Sequence, residues 1–285
     1  MARDMKRLKI ITLVENTTNT RGLVAEHGLA FWIEFGNRKI LFDTGQGNAI
    51  RHNSEKLGIR LEDADVVILS HGHYDHTGGL RQVMKPVGKL KIFAHPAAFG
   101  QKYSKHSDGS VHDAGIQSEC RCGHETEIEA KVNLNEKPVE VFNGFHLTGP
   151  IPRQTEYEDT GGMFFTDTEC STIDSLPDDQ AAFIETSHGI VVILGCAHSG
   201  VINTLNYVRR LTNNKPIHSV IGGMHLVSAG NVRIGKTIWE LKKLGLKSLM
   251  PAHCTGFPAM ARMWHELPGI CRPCSAGTIV EIGNR

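Results

Sequence analysis

The stretch Ser70-His71-Gly72-His73-Tyr74-Asp75-His76-Thr77-Gly78-Gly79 determines the fold and the chemistry that we predict for this chain. The apolar run 66–69 before it is typical of a buried strand. The first two histidines can direct their imidazoles to one point, and Asp75 with His76 can reach a second point beside it. A tag-like or surface histidine cluster is the alternative, but such tracts lack the preceding strand, the interleaved aspartate and the Gly-Gly. Imidazole and carboxylate ligands suit zinc, and also iron or manganese, so the stretch predicts a divalent metal site.

Composition excludes several classes of protein. The 285 residues suffice for one large domain or two small ones. With 31 basic and 30 acidic residues the net charge is +1, which predicts no nucleic-acid partner. No apolar run of about 18 residues predicts a membrane span. The charged segment 1–9 lacks the apolar core of a signal peptide, so we expect a cytoplasmic protein with a small-molecule substrate. The oligomeric state stays open.

The cysteines are odd in number and irregularly spaced, which favours thiols or metal ligands over a disulfide framework. They are Cys120, Cys122, Cys170, Cys196, Cys254, Cys271 and Cys274. Cys120, Cys122 and His124 could bind a structural zinc ion, alone or with Cys271 and Cys274. The spacing is atypical for such a site, so we expect free thiols there.

The rest of the chain alternates strands and helices, with one long interruption. Apolar segments at 8–14, 29–35 and 39–42 predict an antiparallel meander. Segment 99–177 is polar and carries scattered Gly, Ser, Asp and Thr, so we predict an insertion that flanks or covers the active site. After it, apolar strands end repeatedly in a histidine accompanied by Gly or Pro, and a helix follows. These histidines are His198, His225 and His253. Loops at strand ends pre-organise metal ligands, so we expect all three to approach residues 71–76.

The His-x-His-x-Asp-His pattern resembles the signature of the metallo-β-lactamase superfamily. The resemblance implies an α+β fold, a four-layer αββα sandwich forming a single domain over 1–285, with a lid-like insertion at about 99–177. It also implies two divalent ions, zinc or else iron or manganese. His71 and His73 would hold one ion, and Asp75 and His76 the other. His253, in Pro-Ala-His-Cys-Thr-Gly, matches the late histidine ligand of the superfamily.

The middle ligands depart from the superfamily pattern. A Gly-Asp pair normally closes the relevant strand, whereas this chain has Gly195-Cys196-Ala197-His198. Zinc β-lactamases place a cysteine at the corresponding strand end, so Cys196 could bind metal. His198 could do so instead, and we favour it. Asp179, before the preceding strand, is a possible replacement carboxylate.

Several further residues are assigned roles around the metals. Asp43, in a Phe-Asp-Thr-Gly run similar to the superfamily's first motif, is either a turn residue or a carboxylate that orients a metal-bound imidazole, and we favour the second role. The predicted substrate-binding residues are Glu26, His27, His95 and His225. His95 could equally hydrogen-bond a loop, and His225 could be a buried histidine without a role in chemistry.

Seven stretches spanning most of the chain resemble a narrower subgroup, the 7,8-dihydropterin-6-methyl-4-(β-D-ribofuranosyl)-aminobenzene-5′-phosphate synthases. They lie at 25–30, 42–45, 70–80, 178–181, 195–203, 222–226 and 251–256. We predict a metal-dependent hydrolase that acts on a small anionic ester, phosphodiester or lactone through a metal-bound hydroxide, with Asp75 as catalytic residue. The alternatives are the synthase, which is a transferase, a di-iron redox protein, or a non-catalytic binding member of the fold.

Overall fold

The computed structural model describes residues 7–83, 90–120 and 132–283. The strands are β1 (Leu8–Val14), β2 (Ala30–Phe35), β3 (Arg38–Phe42), β4 (Val66–Ile68), β5 (Lys91–Ala94), β6 (Tyr103–Lys105), β7 (Val111–Asp113), β8 (Val132–Leu134), β9 (Val139–Phe142), β10 (Phe145–Leu147), β11 (Phe164–Phe165), β12 (Ala182–Thr186), β13 (Gly189–Leu194), β14 (Ile217–Gly223), β15 (Ser248–Ala252) and β16 (Ile279–Ile282). The α-helices are α1 (Ile50–Lys56), α2 (Tyr74–Thr77), α3 (Leu80–Val83), α4 (Val201–Leu211), α5 (Asn231–Lys243) and α6 (Phe257–Glu266).

Two large mixed sheets form the centre of the molecule. The first has the strand order β16-β1-β2-β3-β4-β5-β8, and the second has the order β15-β14-β13-β12-β10-β9. The predicted meander is present, since β1, β2 and β3 pair antiparallel. Strands β3, β4 and β5 are parallel, as are β13, β14 and β15. The carboxyl ends of parallel neighbours lie at one edge of a sheet, so the loops after these strands meet on a common rim.

The sheets pack face to face, and helices cover their outer faces. Phe31 and Phe42 of the first sheet share a fully buried cluster with Ile184 and Val191 of the second. Helices α4, α5 and α6 contribute apolar side chains to a cluster on the outer face of the second sheet. Helices α1 and α3 do the same for the first sheet. The predicted four-layer αββα sandwich is therefore confirmed. Strands buried on both faces explain the nearly continuous apolar runs in the sequence.

The polar segment differs from a simple insertion. Strand β8 extends the first sheet, and β9 and β10 extend the second, so residues 132–147 belong to the sandwich. Strands β6, β7 and β11 form a separate small sheet that flanks the rim. Strands β8, β9 and β10 are short, and β8 and β9 are only partly buried, so their apolar signal within the predicted insertion at 99–177 is weak.

The described cysteines are thiols. Cys120, Cys271 and Cys274 are buried and form no disulfide. Cys122 and His124 lie outside the described residues, so the possible zinc site at 120–124 stays a prediction. The longest described helix, α5, has 13 residues, and no described helix has the length and apolarity of a membrane span.

Candidate metal centre

The rim of the sandwich gathers histidine, cysteine and aspartate side chains from distant strand ends. Strand β4 leads into residues 70–76, β13 into Cys196 and His198, and β15 into His253. Four groups of possible ligands have donor atoms within 4.8 Å of one another. They are His71/His73/His198, His71/His76/Cys196, His27/Asp75/His253 and Cys196/His225/Cys254.

Four residues that follow rim strands have strained backbone conformations. Asp43, Ala197, His225 and His253 have φ values of 58°, 55°, 43° and 48°, in the left-handed region that L-residues rarely adopt. Such conformations persist only where the surrounding structure fixes them, and they are common at functional sites. Gly195 has no room for a Cβ atom, because Ser70 Oγ occupies that space. The loops are therefore held in shapes that aim side chains at the rim.

A hydrogen-bond chain fixes the tautomer of His71. Asp43 accepts from Ser70 Oγ at 2.7 Å and from the Ser70 amide at 2.7 Å. Because its only hydroxyl hydrogen goes to Asp43, Ser70 Oγ must accept from His71 Nδ1, 2.9 Å away. The lone pair of His71 therefore lies on Nε2, a buried atom with no protein partner in the described structure.

His76 and His198 are oriented in the same way. His76 Nδ1 donates to Asp43 Oδ2 at 2.7 Å, which leaves Nε2 facing Cys196 Sγ at 3.1 Å. His198 Nδ1 donates to the Thr160 carbonyl at 2.8 Å, and its buried Nε2 has no partner among the described residues. Histidines that bind a metal ion usually donate a hydrogen bond from Nδ1, which fixes the ring, and keep Nε2 free for the metal. Asp43 thus contacts both Ser70, which precedes His71, and His76.

Asp75 lies between two histidines of opposite tautomer. Asn16 Oδ1 accepts from His253 Nδ1 at 2.8 Å and from the Gly28 amide at 3.1 Å, so the Asn16 amide group faces His27 Nδ1. His27 therefore donates from Nε2 to Asp75 Oδ2 at 3.2 Å. His253 presents its Nε2 lone pair to the same oxygen at 3.1 Å. Two acceptors in contact require a proton or a cation between them.

Burial keeps three of the histidine donors, His71, His73 and His198, neutral, whereas Asp43 and Asp75 raise the pKa of His76 to about 9. Burial, followed by the neighbouring histidines, holds the pKa of His71 well below its ordinary value. Burial lowers the pKa of His73 to about 3, and burial with His225 and His73 lowers that of His198. Burial alone would raise the pKa of Asp75, but the neighbouring His76, His253 and His27 hold it well below its usual range. Neutral imidazoles beside an ionised carboxylate are the protonation states that metal ligands need.

The residues present therefore fit a divalent metal ion. Three buried ring nitrogens without a partner, in His71, His73 and His198, converge at one point. Cys196 and His198, which the sequence offered as alternatives, both lie in candidate ligand groups, Cys196 with His76 and His198 with His73. Without a metal, burial and Cys254 raise the pKa of Cys196 well above its ordinary value.

Three other predicted site residues, Glu26, His95 and Asp179, lie outside the metal ligand groups, whereas His225 belongs to the group with Cys196 and Cys254. Both carboxylate oxygens of Glu26 accept from backbone amides, those of residues 46–49, so Glu26 holds the loop before α1. His95 Nδ1 accepts from the Ala97 amide, which matches the loop-bonding alternative. Asp179 accepts from the Ser199 amide at 2.7 Å, and its other oxygen is buried without a partner in the described structure. The ring centroids of His225 and His198 are 4.2 Å apart.

Some residues of the site were not predicted. Asn16 and Glu15 hold His253, the latter by accepting from its amide at 2.7 Å. Both follow the end of β1, a position that could have indicated them. Phe164 of the flanking sheet packs on His73 and His198, with centroid distances of 4.7 and 5.3 Å. No local signal marks Phe164, because its contacts depend on how the polar segment folds over the rim.

A second unpredicted group anchors the metal-binding loop. Asp178 accepts from the Gly72 amide at 2.7 Å and from Lys102 Nζ at 3.0 Å. Lys102 also donates to Asp174 at 2.8 Å. The group ties the polar segment to the loop that carries His71 and His73.

Comparisons with known proteins agree with this architecture. Residues 24–215 match the family model described as the metallo-beta-lactamase superfamily. The chain is 31% identical over 285 residues to 7,8-dihydropterin-6-methyl-4-(β-D-ribofuranosyl)-aminobenzene-5′-phosphate synthase of Methanocaldococcus jannaschii, covering 96% of each chain.

Solved structures show the same relationship. Tm1679, a metal-dependent hydrolase of the β-lactamase superfamily, superimposes with a TM-score of 0.80 at 29% identity, over 97% of this chain and 100% of that one. The metallo-β-lactamase fold protein YhfI from Bacillus subtilis shares the fold, with a TM-score of 0.56 at 16% identity over 97% and 99% of the two chains. By its sequence match, its sandwich and its rim of imidazole and carboxylate groups, the chain belongs to the metallo-β-lactamase superfamily.

Proposed function

We propose that this protein is a metal-dependent hydrolase that acts on a small anionic ester, phosphodiester or lactone. The observation that carries the proposal is the convergence of unpartnered Nε2 atoms from His71, His73 and His198 beside the ionised Asp75. Membership of an enzymatic superfamily supports it. The similarity to Tm1679 also favours hydrolysis.

We assign two divalent ions to the rim, with zinc as first choice and iron or manganese as alternatives. His71, His73 and His198 would hold one ion, and Asp75, His76 and His253 the other. Cys196 has its sulfur within reach of both His71 and His76, which places a soft donor between the two sets. Bound divalent ions supply Lewis-acid polarisation of a substrate oxygen and acidify water.

The chain's own residues orient the metal ligands, hold protons near the reacting centre and exclude bulk water. We assign Asp75 as the catalytic carboxylate, because its lowered pKa keeps it ionised and His27 and His253 hold it in position. His27 donates to Asp75 and, being more than half exposed, can turn toward a substrate. Phe164 covers His73 and His198 and keeps bulk water from that side. Asp43 keeps His76 in the tautomer that offers Nε2.

The pterin-ribofuranosylaminobenzene-phosphate synthase activity is the second candidate. Its support is the 31% identity over 96% of both chains. The reaction would join a dihydropterin that carries a leaving group on its 6-methylene carbon to a ribosylated aminobenzene phosphate. A metal centre that binds an anionic leaving group serves this transfer as well as it serves hydrolysis.

Metal analysis and a substrate panel test the proposal. Protein purified without added metal is analysed for zinc, iron and manganese, then assayed on phosphodiester, thioester and lactone substrates. We expect about two ions per chain and hydrolysis of at least one substrate class, reduced at least 100-fold in Asp75→Asn. Asp63→Asn is the matched control, because Asp63 belongs to none of the candidate ligand groups and forms ion pairs with Lys39 at 2.8 Å and with Arg60 at 3.4 Å.

The alternatives give different results. Formation of the joined pterin product, detected by mass spectrometry and absent in Asp75→Asn, together with no hydrolysis, would replace the hydrolase by the synthase. Bound iron that changes oxidation state with substrate would favour a redox protein. Metal binding without turnover of any substrate would favour a binding protein.

A further inference from the structure

A cationic cluster with unsatisfied donors lies where the first turns of α5 meet residues 157–161. It consists of Arg233, Lys236, Thr237 and Tyr157, and we call it the α5 cluster. Arg233 Nε, Thr237 Oγ1 and Tyr157 Oη are buried and have no hydrogen-bond partner among the described residues. Lys236 Nζ lies 5.2 Å from the centre of the Tyr157 ring. Buried donors are rarely left unpaired in native proteins, so three in one place indicate a missing acceptor.

The α5 cluster is joined to the metal centre by a short loop. Asp159 accepts a hydrogen bond from the Arg233 guanidinium. The next residue, Thr160, accepts from His198 Nδ1 at 2.8 Å. Gly161 packs against the His225 ring so closely that a Cβ atom would not fit. One peptide unit, about 3.8 Å between Cα atoms, therefore separates the partner of Arg233 from the partner of a candidate metal ligand.

The cluster carries the positive charges of Arg233 and Lys236, and the carboxylates of Glu158 and Glu240 lie near its Tyr157. Asp159 is the carboxylate paired with Arg233, and its side chain is 71% exposed while that of Arg233 is only 9% exposed. Glu240, one turn further along α5, pairs with Lys243 at 3.1 Å instead. Burial raises the pKa of Tyr157 to about 12, so its hydroxyl keeps its proton and can donate.

The start of α5 adds to the positive potential. The helix has no side-chain cap at Gly230, and open space surrounds the position of a Cβ there. Unpaired first-turn amides and the helix dipole favour negative charge nearby. This alone would not define a site, but it reinforces the buried guanidinium and the phenol.

We infer that the α5 cluster is an anion subsite, in which Arg233, Lys236 and the Tyr157 hydroxyl hold a phosphate monoester of the substrate away from the reacting centre. Asp159 competes with that group for the guanidinium. Arginine suits this task because its planar fork matches phosphate geometry. The inference rests on the proposed function only in placing a substrate at the metal centre, since the binding step itself requires no turnover.

Ribose 5-phosphate, ribose and inorganic phosphate are suitable probes for calorimetric titration of the full-length protein, as purified and after chelation. We expect wild type to bind ribose 5-phosphate and inorganic phosphate in both forms, and not to bind ribose. Arg233→Gln should weaken ribose 5-phosphate binding at least tenfold. Asp159→Asn should strengthen it several-fold, because the competing charge is gone while an oxygen remains to accept from the Gly161 amide.

The matched control is Arg262→Gln. Arg262 lies on α6 and donates to the Asn231 carbonyl at 3.0 Å, so it contacts the same helix end from outside the α5 cluster. The affinity of the Arg262→Gln variant for ribose 5-phosphate should equal that of wild type. If Arg233→Gln does not fold, the gain of affinity in Asp159→Asn still tests the inference, since a merely structural ion pair predicts no gain.

Three results would overturn the subsite. They are unchanged affinity in Arg233→Gln, no gain in Asp159→Asn, and binding that disappears on chelation, which would place the phosphate on the metals. In contrast, Arg233-dependent binding without metal uptake or turnover would overturn the proposed function and leave the subsite standing.

Discussion

His253 Nε2 lies 3.1 Å from Asp75 Oδ2, and its Nδ1 donates to Asn16, so a lone pair of the ring faces an ionised carboxylate. Burial lowers the pKa of His253 although the neighbouring Asp75 acts to raise it, which makes a proton an unfavourable link between them. A divalent cation resolves this contact by accepting both lone pairs. The stability and chemistry of the rim should therefore depend on metal.

Chelation should destabilise the protein. An ion present at 100 times its dissociation constant stabilises the folded state by about 2.7 kcal/mol, which corresponds to roughly 5–10 °C in Tm. Thermal unfolding with EDTA and with added zinc measures the difference. Asp75→Ala should show a smaller response and Asp63→Asn the full response. Equal Tm values in EDTA and zinc would contradict the metal assignment.

Asp43 should control the pH dependence of the metal-free protein through His76. Burial lowers the pKa of His76, but Asp43 and Asp75 outweigh burial and raise it from 6.5 to about 9. Because the folded value is the higher one, this stabilisation is complete below pH 6.5 and is lost as pH rises through 9. The loss is about 3 kcal/mol at 1.36 kcal/mol per pH unit.

Urea unfolding of chelated wild type and Asp43→Asn at pH 6 and pH 9.5 measures this effect. Wild type should lose more stability than the variant over that interval. The variant should also bind zinc about 10–100-fold more weakly, because His76 is no longer oriented. Parallel pH profiles for the two proteins would rule out the assigned link between Asp43 and His76.

Cys196 and Cys254 should differ as metal ligands. Cys196 Sγ belongs to a group with His71 and His76, whereas Cys254 Sγ belongs only to the group with Cys196 and His225 and donates to the Cys196 carbonyl at 3.6 Å. After cobalt substitution, a thiolate-to-cobalt charge-transfer band should appear in wild type and in Cys254→Ser, and vanish in Cys196→Ser. A band that depends on Cys254 alone would transfer the role to that residue.

Lys102 should be far more important for stability than an equivalent surface lysine. Lys102 is only 2% exposed and lies 2.8 Å from Asp174 and 3.0 Å from Asp178. Lys102→Met leaves two buried carboxylates without a cation, which should lower the free energy of unfolding by about 3–5 kcal/mol. Lys39→Met breaks a 2.8 Å ion pair in which the lysine side chain is 42% exposed, and it should lower the free energy of unfolding by about 0–1 kcal/mol.

Denaturant unfolding of both lysine variants checks this contrast. Because Asp178 also binds the Gly72 amide, Lys102→Met should in addition weaken metal binding, while Lys39→Met should not. Equal stability losses would indicate that the buried group contributes no more than a surface pair.

The sequence by itself determined the layered fold and most of the rim. Apolar runs such as 66–69 specify buried strands, and parallel strands bring their following loops to one edge, so residues 71–76, 198 and 253 could be expected to meet. The short spacing of the His-x-His-x-Asp-His motif also restricts which ligands can share an ion, because the chain between them has little freedom.

Only the tertiary structure decided which partner each ring nitrogen has. Asn16 and His253 are 237 positions apart, and no local pattern indicates that one amide fixes the tautomer of the other. The same holds for Glu26, which binds a loop about 20 residues away, and for Arg233, which meets Asp159. Local sequence restricts the backbone, whereas the direction and protonation of a side chain depend on contacts between elements that meet only when the two sheets pack together.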